Sequence, residues 1–124
     1  MSYLVLGLIL LTVTLSACAQ LALKLGVAKP QMAAAMQSGI VDALIGAMLS
    51  PFIWTGLIIY GLSVAMWLWV LAKVDLSIAY PFVGVSFLIT MAFGYFLLDE
   101  NVTPMRILGT VLIASGCVLV GKSA

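Results

Sequence analysis

An all-α membrane protein, with four transmembrane helices and a short interfacial helix between the first and second, is the fold this sequence predicts, on three observations. Of its 124 residues, 65% are apolar and 7% charged, against about 45–50% and about 25% in an ordinary soluble domain. Five Lys+Arg and four Asp+Glu cannot wet the surface of a globule this size, so lipid must solvate most of the chain. Four stretches are near the roughly 20 mainly apolar residues that cross a hydrocarbon core about 30 Å thick. The charges, with most of the prolines, fall at the ends of those stretches or between them.

The first span runs from about Tyr3 to Leu23 and stops at Lys24, Gly26, Lys29 and Pro30. The second begins at Pro51, a favourable first-turn residue, and ends at Ala72 before Lys73 and Asp75. The third covers about Leu76 to Leu98 and is closed by Asp99-Glu100-Asn101; the fourth covers about Pro104 to Gly121, with Lys122 beyond. Two of the three connections are only a few residues long, so consecutive spans are expected as antiparallel neighbours in a single domain over residues 1–124, both termini on one side. Between spans one and two, residues 31–49 carry Met32, Met36, Ile40, Ala43 and Ala47 at helical spacing, which predicts a helix lying in the interface. A fifth span is disfavoured because Gln37, Ser38, Gly39 and Asp42 occupy its centre.

Composition excludes several functions. Net charge +1 with dispersed basic residues provides no phosphate-neutralising stripe, so no nucleic-acid partner is expected. With no His and two distant Cys, no metal site, haem or thiol–imidazole pair is expected, and no cofactor. Cys18 and Cys117 lie in apolar runs and read as small hydrophobes rather than a disulfide. Leu15-Ser16-Ala17-Cys18 has the form of a lipobox, but Met1-Ser2-Tyr3 lacks the positive charge of a signal peptide and three further spans follow. Asn101-Val102-Thr103 matches a glycosylation sequon, a pattern too common to carry weight. Lys73 and Lys122 on the side of the termini face Lys24, Lys29 and Arg106 on the other, too even a division to choose an orientation.

No ionisable residue lies at a span centre. An embedded carboxylate is the simplest proton-coupling device in a membrane, and its absence argues against that chemistry. Uncharged polar groups do occur there, in order. Thr12, Ser16, Gln20 and Lys24 recur every four residues on one face of span one. The Gln20 amide needs a partner, met either by an interhelical hydrogen bond or by a polar substrate path. Lys24, one turn on, is a snorkelling anchor or the cation for a phosphate head. In span two, Gly56, Tyr60, Ser63 and Trp67 share an arc, with Trp54 and Trp69 pointing elsewhere and Trp54 suited to the interfacial aromatic belt. In span three, Ser77, Tyr80, Gly84, Phe87 and Met91 share a face, and Pro81 loosens the helix beside Tyr80. Gly109, Ile113, Gly116 and Val120 form a small-large-small stripe on span four, a candidate dimer seam or a close approach within the bundle.

The order of these features resembles a known family. The polar first helix with Ala19-Gln20-Leu21 and Lys24, Trp67, the Ile78-Ala79-Tyr80-Pro81 element, Glu100-x-Val102-Thr103-Pro104-x-Arg106 and the Gly-rich last helix are similar to the small four-helix members of the drug/metabolite transporter superfamily. Within it the similarity is greatest to the aminoarabinose-phosphoundecaprenol flippase subunits of Gram-negative bacteria, over nearly the whole chain outside residues 31–50. The related small multidrug resistance family shares the topology and the span-three tyrosine, here Tyr80. Its span-one glutamate, however, falls at about Ser16 and its span-three tryptophan at about Val83.

What the resemblance implies is a flippase or flippase subunit for a polyprenyl-phosphate-linked sugar in the bacterial inner membrane, a multi-pass transporter rather than an enzyme. It also implies a dimer with itself or with a homologous four-helix subunit. Candidate substrate-binding residues are Ser16, Gln20, Lys24, Tyr60, Ser63, Trp67, Tyr80, Glu100 and Arg106, with Thr12 on the same path. Lys24 or Arg106 would meet the phosphate, and Asp99-Glu100 is either a solvated turn or a contact to Arg106 or a sugar amine. Two other readings are a proton-coupled exporter of small cationic compounds and a non-transporting scaffold subunit.

Overall fold

Three helix starts show how the chain punctuates itself. Ser2 accepts a hydrogen bond on its side chain from the Val5 amide. Ser50 does so from the Ile53 amide ahead of Pro51, and Thr103 from the Arg106 amide ahead of Pro104. In the last two, a side-chain acceptor replaces the missing helical partner and proline presets the first turn. Thr103, the third residue of the sequon-like triplet, is thus a helix cap.

The computed structural model describes residues 2–123 and is helical, with no strand among the described residues. Helix α1 is Tyr3–Val27, α2 Pro30–Ser38, α3 Ile40–Leu49 and α4 Pro51–Leu71. The third span is composite, with α5 at Leu76–Ala79, a 3-10 turn at Tyr80–Phe82 and α6 at Val83–Leu97, and α7 is Pro104–Lys122. Four of these units, Tyr3–Val27, Pro51–Leu71, Leu76–Leu97 and Pro104–Lys122, are long and apolar enough to cross a membrane.

Two boundaries refine the sequence expectation. Helix α1 continues a full turn past Leu23, placing Lys24 in its last turn, where a cation meets the partial negative charge of the helix end. The segment expected as one interfacial helix is two, divided at Gly39, whose φ of 130° and ψ of 174° are accessible essentially only to glycine. There α3 folds back on α2, with Gly46 against Ala35 and Met32.

The spans form a row rather than a closed square. Helix α1 is central, packed along α4 on one side and against α6 on the other, and α6 carries α7. The α1–α4 seam is close because Gly56 has no side chain: a Cβ there would lie 2.7 Å from Leu23 Cγ and 3.0 Å from the Ala19 carbonyl. Likewise Gly84 receives Ile113 and Cys117 of α7, whose thiol donates to the Pro81 carbonyl. Both cysteines are free.

The apolar core lies at the end of the molecule that carries the termini. Ile9, Val70, Ala79 and Phe82 are buried there, with Trp67, Val74 and Ile78 around them. Consecutive spans two and three, expected as neighbours, touch chiefly through α4 and α5 at this end. Beyond it they diverge on either side of α1. The result is a wedge, closed at the terminal end and open at the other.

Candidate functional site

The wedge leaves a crevice between α1, α4 and α6. Its wide part, about 510 Å³, is lined by Ser16, Gln20 and Lys24 of α1, Tyr60 of α4, Ser86 and Thr90 of α6, and Glu100. A narrower part of about 170 Å³ continues toward the closed end between Thr12, Ser63, Trp67 and Tyr80, sharing Ser16, Tyr60 and Ser86 with the first. From Thr12 to Lys24 the polar face climbs about 18 Å along α1, at 1.5 Å per residue. Eight of the nine residues expected at a substrate path therefore line one continuous crevice.

The ninth is elsewhere. Arg106 lines a separate groove with Gly109, Thr110 and Ile113, between the third span and α7, and its guanidinium donates to the Asn101 carbonyl at 2.9 Å. Of the two cations considered for a phosphate, Lys24 is the one in the crevice. Glu100 borders both spaces, and no ion pair joins it to Arg106 among the described residues.

Four of the hydroxyls that line the crevice already have acceptors on their own helices. Thr12 donates to the Leu8 carbonyl at 2.7 Å, Ser63 to Tyr60 at 2.7 Å, Ser86 to Val83 at 2.5 Å and Thr90 to Phe87 at 3.2 Å. Each oxygen keeps lone pairs for an incoming donor, at no cost to the empty crevice. Gln20 differs. Its amide makes no hydrogen bond to another helix among the described residues and is exposed in the crevice wall.

Ser86 and Thr90 lie off the face that Ser77, Tyr80, Gly84, Phe87 and Met91 share by α-helical spacing alone. The 3-10 turn explains the shift. At three residues per turn, Tyr80–Phe82 adds about 60° of rotation over an α-helix, carrying Val83, Ser86 and Thr90 toward the face that Tyr80 began. Gly84 turns to α7 instead. A signal was present, since Ser86 and Thr90 are four apart in an otherwise apolar run.

Glu100 is positioned by the backbone before it. Asp99 adopts φ 52°, which turns the chain so that the Glu100 amide donates to the Gly94 carbonyl at 2.8 Å. Its carboxylate then occupies the notch left by the absent Gly94 side chain. On α7 the proposed seam divides: Ile113 meets Gly84, whereas Gly109 and Gly116 have no neighbouring side chain against them.

The profile of the EamA-like transporter family matches residues 2–122. The chain belongs to the EamA-like transporter family. Four spanning helices and this membership make it a multi-pass membrane transporter. Among curated relatives of this EamA-like chain, a protein of Pseudomonas aeruginosa named probable 4-amino-4-deoxy-L-arabinose-phosphoundecaprenol flippase subunit ArnE is 32% identical over 95% of the chain and 97% of its own length. A protein of the same name from Pseudomonas paraeruginosa is also 32% identical with the same coverage. Another from Pseudomonas savastanoi is 33% identical over 65% of the chain and 71% of its own length. No solved structure matches the EamA-like chain at a significant level.

Proposed function

We propose that this chain is a flippase subunit carrying a polyprenyl-phosphate-linked sugar of the aminoarabinose type across the bacterial inner membrane, paired with a second copy or a homologous four-helix subunit. The observation that carries the reading is the crevice, with uncharged polar groups set along its length among apolar ones and its only charges, Lys24 and Glu100, at the open end among the described residues. Each sugar hydroxyl taken unpaired into hydrocarbon costs about 2–7 kcal/mol. A column of oxygens and the Gln20 amide offsets that cost, while the isoprenoid tail stays in lipid.

Lys24 meets the phosphate at the mouth, and Ser16, Gln20, Tyr60, Ser63, Ser86 and Thr90 exchange hydrogen bonds with the head as it moves inward. Tyr60, Trp67 and Tyr80 supply flat surfaces for the sugar face. No bond is made or broken, so the chain acts as a transporter and not as an enzyme. Net movement is driven by consumption of the lipid on the far side. Ser16 stands midway along the crevice, and its neutral hydroxyl offers no site for a coupled proton.

The test is reconstitution of the purified chain, alone and with any four-helix subunit that copurifies, in liposomes holding a fluorescent polyprenyl-phosphate sugar. Movement is read as the fraction of label quenched from outside. Gln20→Leu and Lys24→Ala should each slow movement about tenfold while the protein stays folded, the loss expected for one strong hydrogen bond or charge contact. Unchanged rates in both variants would remove these residues from the path. No movement under either condition would favour a scaffold subunit.

A further inference from the structure

Glu100 contributes the only carboxylate to the crevice, among the described residues. It stands at the open end, as does Lys24, and neither is in an ion pair among the described residues. Opposite charges held on separate elements, one at the end of α1 and one after α6, leave a gap between them. Were the carboxylate only a solvated turn residue, nothing would require it to fold back. Instead the left-handed Asp99 and the side-chain-free Gly94 direct it over the end of α6 and into the crevice wall.

We infer that Glu100 is the specificity residue for a protonated amine on the transported head, acting with Lys24 as a charge pair that a head bearing both phosphate and ammonium completes. The inference rests on the flippase reading above and narrows it to zwitterionic heads. Both charges are exposed at the mouth and free of protein counter-ions among the described residues, so each is open to a charge-assisted hydrogen bond from the head. A neutral hydroxyl in place of the amine satisfies Lys24 and leaves Glu100 without a counter-ion. A space of about 510 Å³ is within the range that accommodates a small polar ligand. Recognition is thus made at the entrance, before the head reaches the uncharged oxygens farther in.

The experiment compares two fluorescent polyprenyl-phosphate pentoses, one with a primary amine and one with a hydroxyl at the same carbon, in liposomes holding the full chain and any copurifying subunit. The readout is the ratio of their rates. Wild type should move the amine lipid roughly tenfold faster, and Glu100→Gln, which keeps shape and loses charge, should bring the ratio near one. Gly94→Ala should lower the ratio too, because the added methyl displaces the carboxylate; it carries the test if the Gln variant is not recovered folded. A wild type that moves both lipids equally, or a ratio unchanged in the variants, overturns the inference and leaves the flippase reading standing. A wild type that moves neither lipid overturns both.

Discussion

At the scale of single residues, two glycines on α4 show how packing decides the effect of one methyl group. A Cβ on Gly56 would press on the branched carbon of Leu23 and on a backbone oxygen, neither of which yields easily, whereas Gly61 has nothing within 4 Å. Gly56→Ala should destabilise the protein by about 1–3 kcal/mol through overpacking of the α1–α4 seam. Gly61→Ala should be neutral or stabilising by up to about 1 kcal/mol, since alanine favours the helix. Thermal unfolding in detergent micelles measures both, and equal shifts would contradict the seam. Thr90 extends the argument to the site. Thr90→Val keeps its shape and removes its oxygen, so lipid movement should slow about fivefold, the value of one ordinary hydrogen bond, with unfolding temperature unchanged.

At the scale of elements, the break between α2 and α3 is a backbone effect rather than a packing one. Gly39 alone joins two helices folded on each other, in a conformation worth about 1–3 kcal/mol of strain to any other residue. Gly39→Ala should therefore speed hydrogen exchange in residues 30–49 while leaving exchange in α1, α4 and α6 as it was. Equal acceleration everywhere would mean that the pair is part of the bundle's core rather than an appended unit. Elsewhere a single element has two faces with different tasks: α6 turns Gly84 to α7 and Ser86 and Thr90 to the crevice, because the 3-10 turn ahead of it sets its rotation.

At the scale of the whole molecule, the wedge sets which residues water reaches. Ile9 and Val70 are fully buried in the closed end, while Gln20 and Lys24 line the open one. In a background with Cys18 and Cys117 replaced by serine, Gln20→Cys and Lys24→Cys should react quickly with a water-soluble maleimide and Ile9→Cys and Val70→Cys slowly. Comparable rates at both ends would contradict the closed-end geometry. Helix α7 stands outermost, with Cys117 its single buried residue, and Gly109 and Gly116 open to a neighbouring helix. That face is where a second four-helix subunit would pack if the proposed pairing holds, since small residues let backbones approach closely.

Read alone, the residues mark the membrane class, the four spans to within a few residues, the proline that opens the second, the loosening at Pro81 and the confinement of charge to span ends or the segment between spans one and two. Those features depend on hydropathy, residue chemistry and local backbone limits, which act over a few residues at a time. The same reading marks Thr12, Ser16, Gln20 and Lys24 as one face, because polar groups at helical spacing in an apolar run stand out. Helix packing, by contrast, sets how spans two and three splay around α1, turns Ser86 and Thr90 rather than Gly84 and Met91 to the crevice, and brings Glu100 into it while Arg106 stands outside. The physical reason is that lipid and protein core are equally apolar. Hydrophobic periodicity therefore cannot say which face of a span is buried, and rotation is settled by where small residues such as Gly56 and Gly84 let neighbouring helices close in.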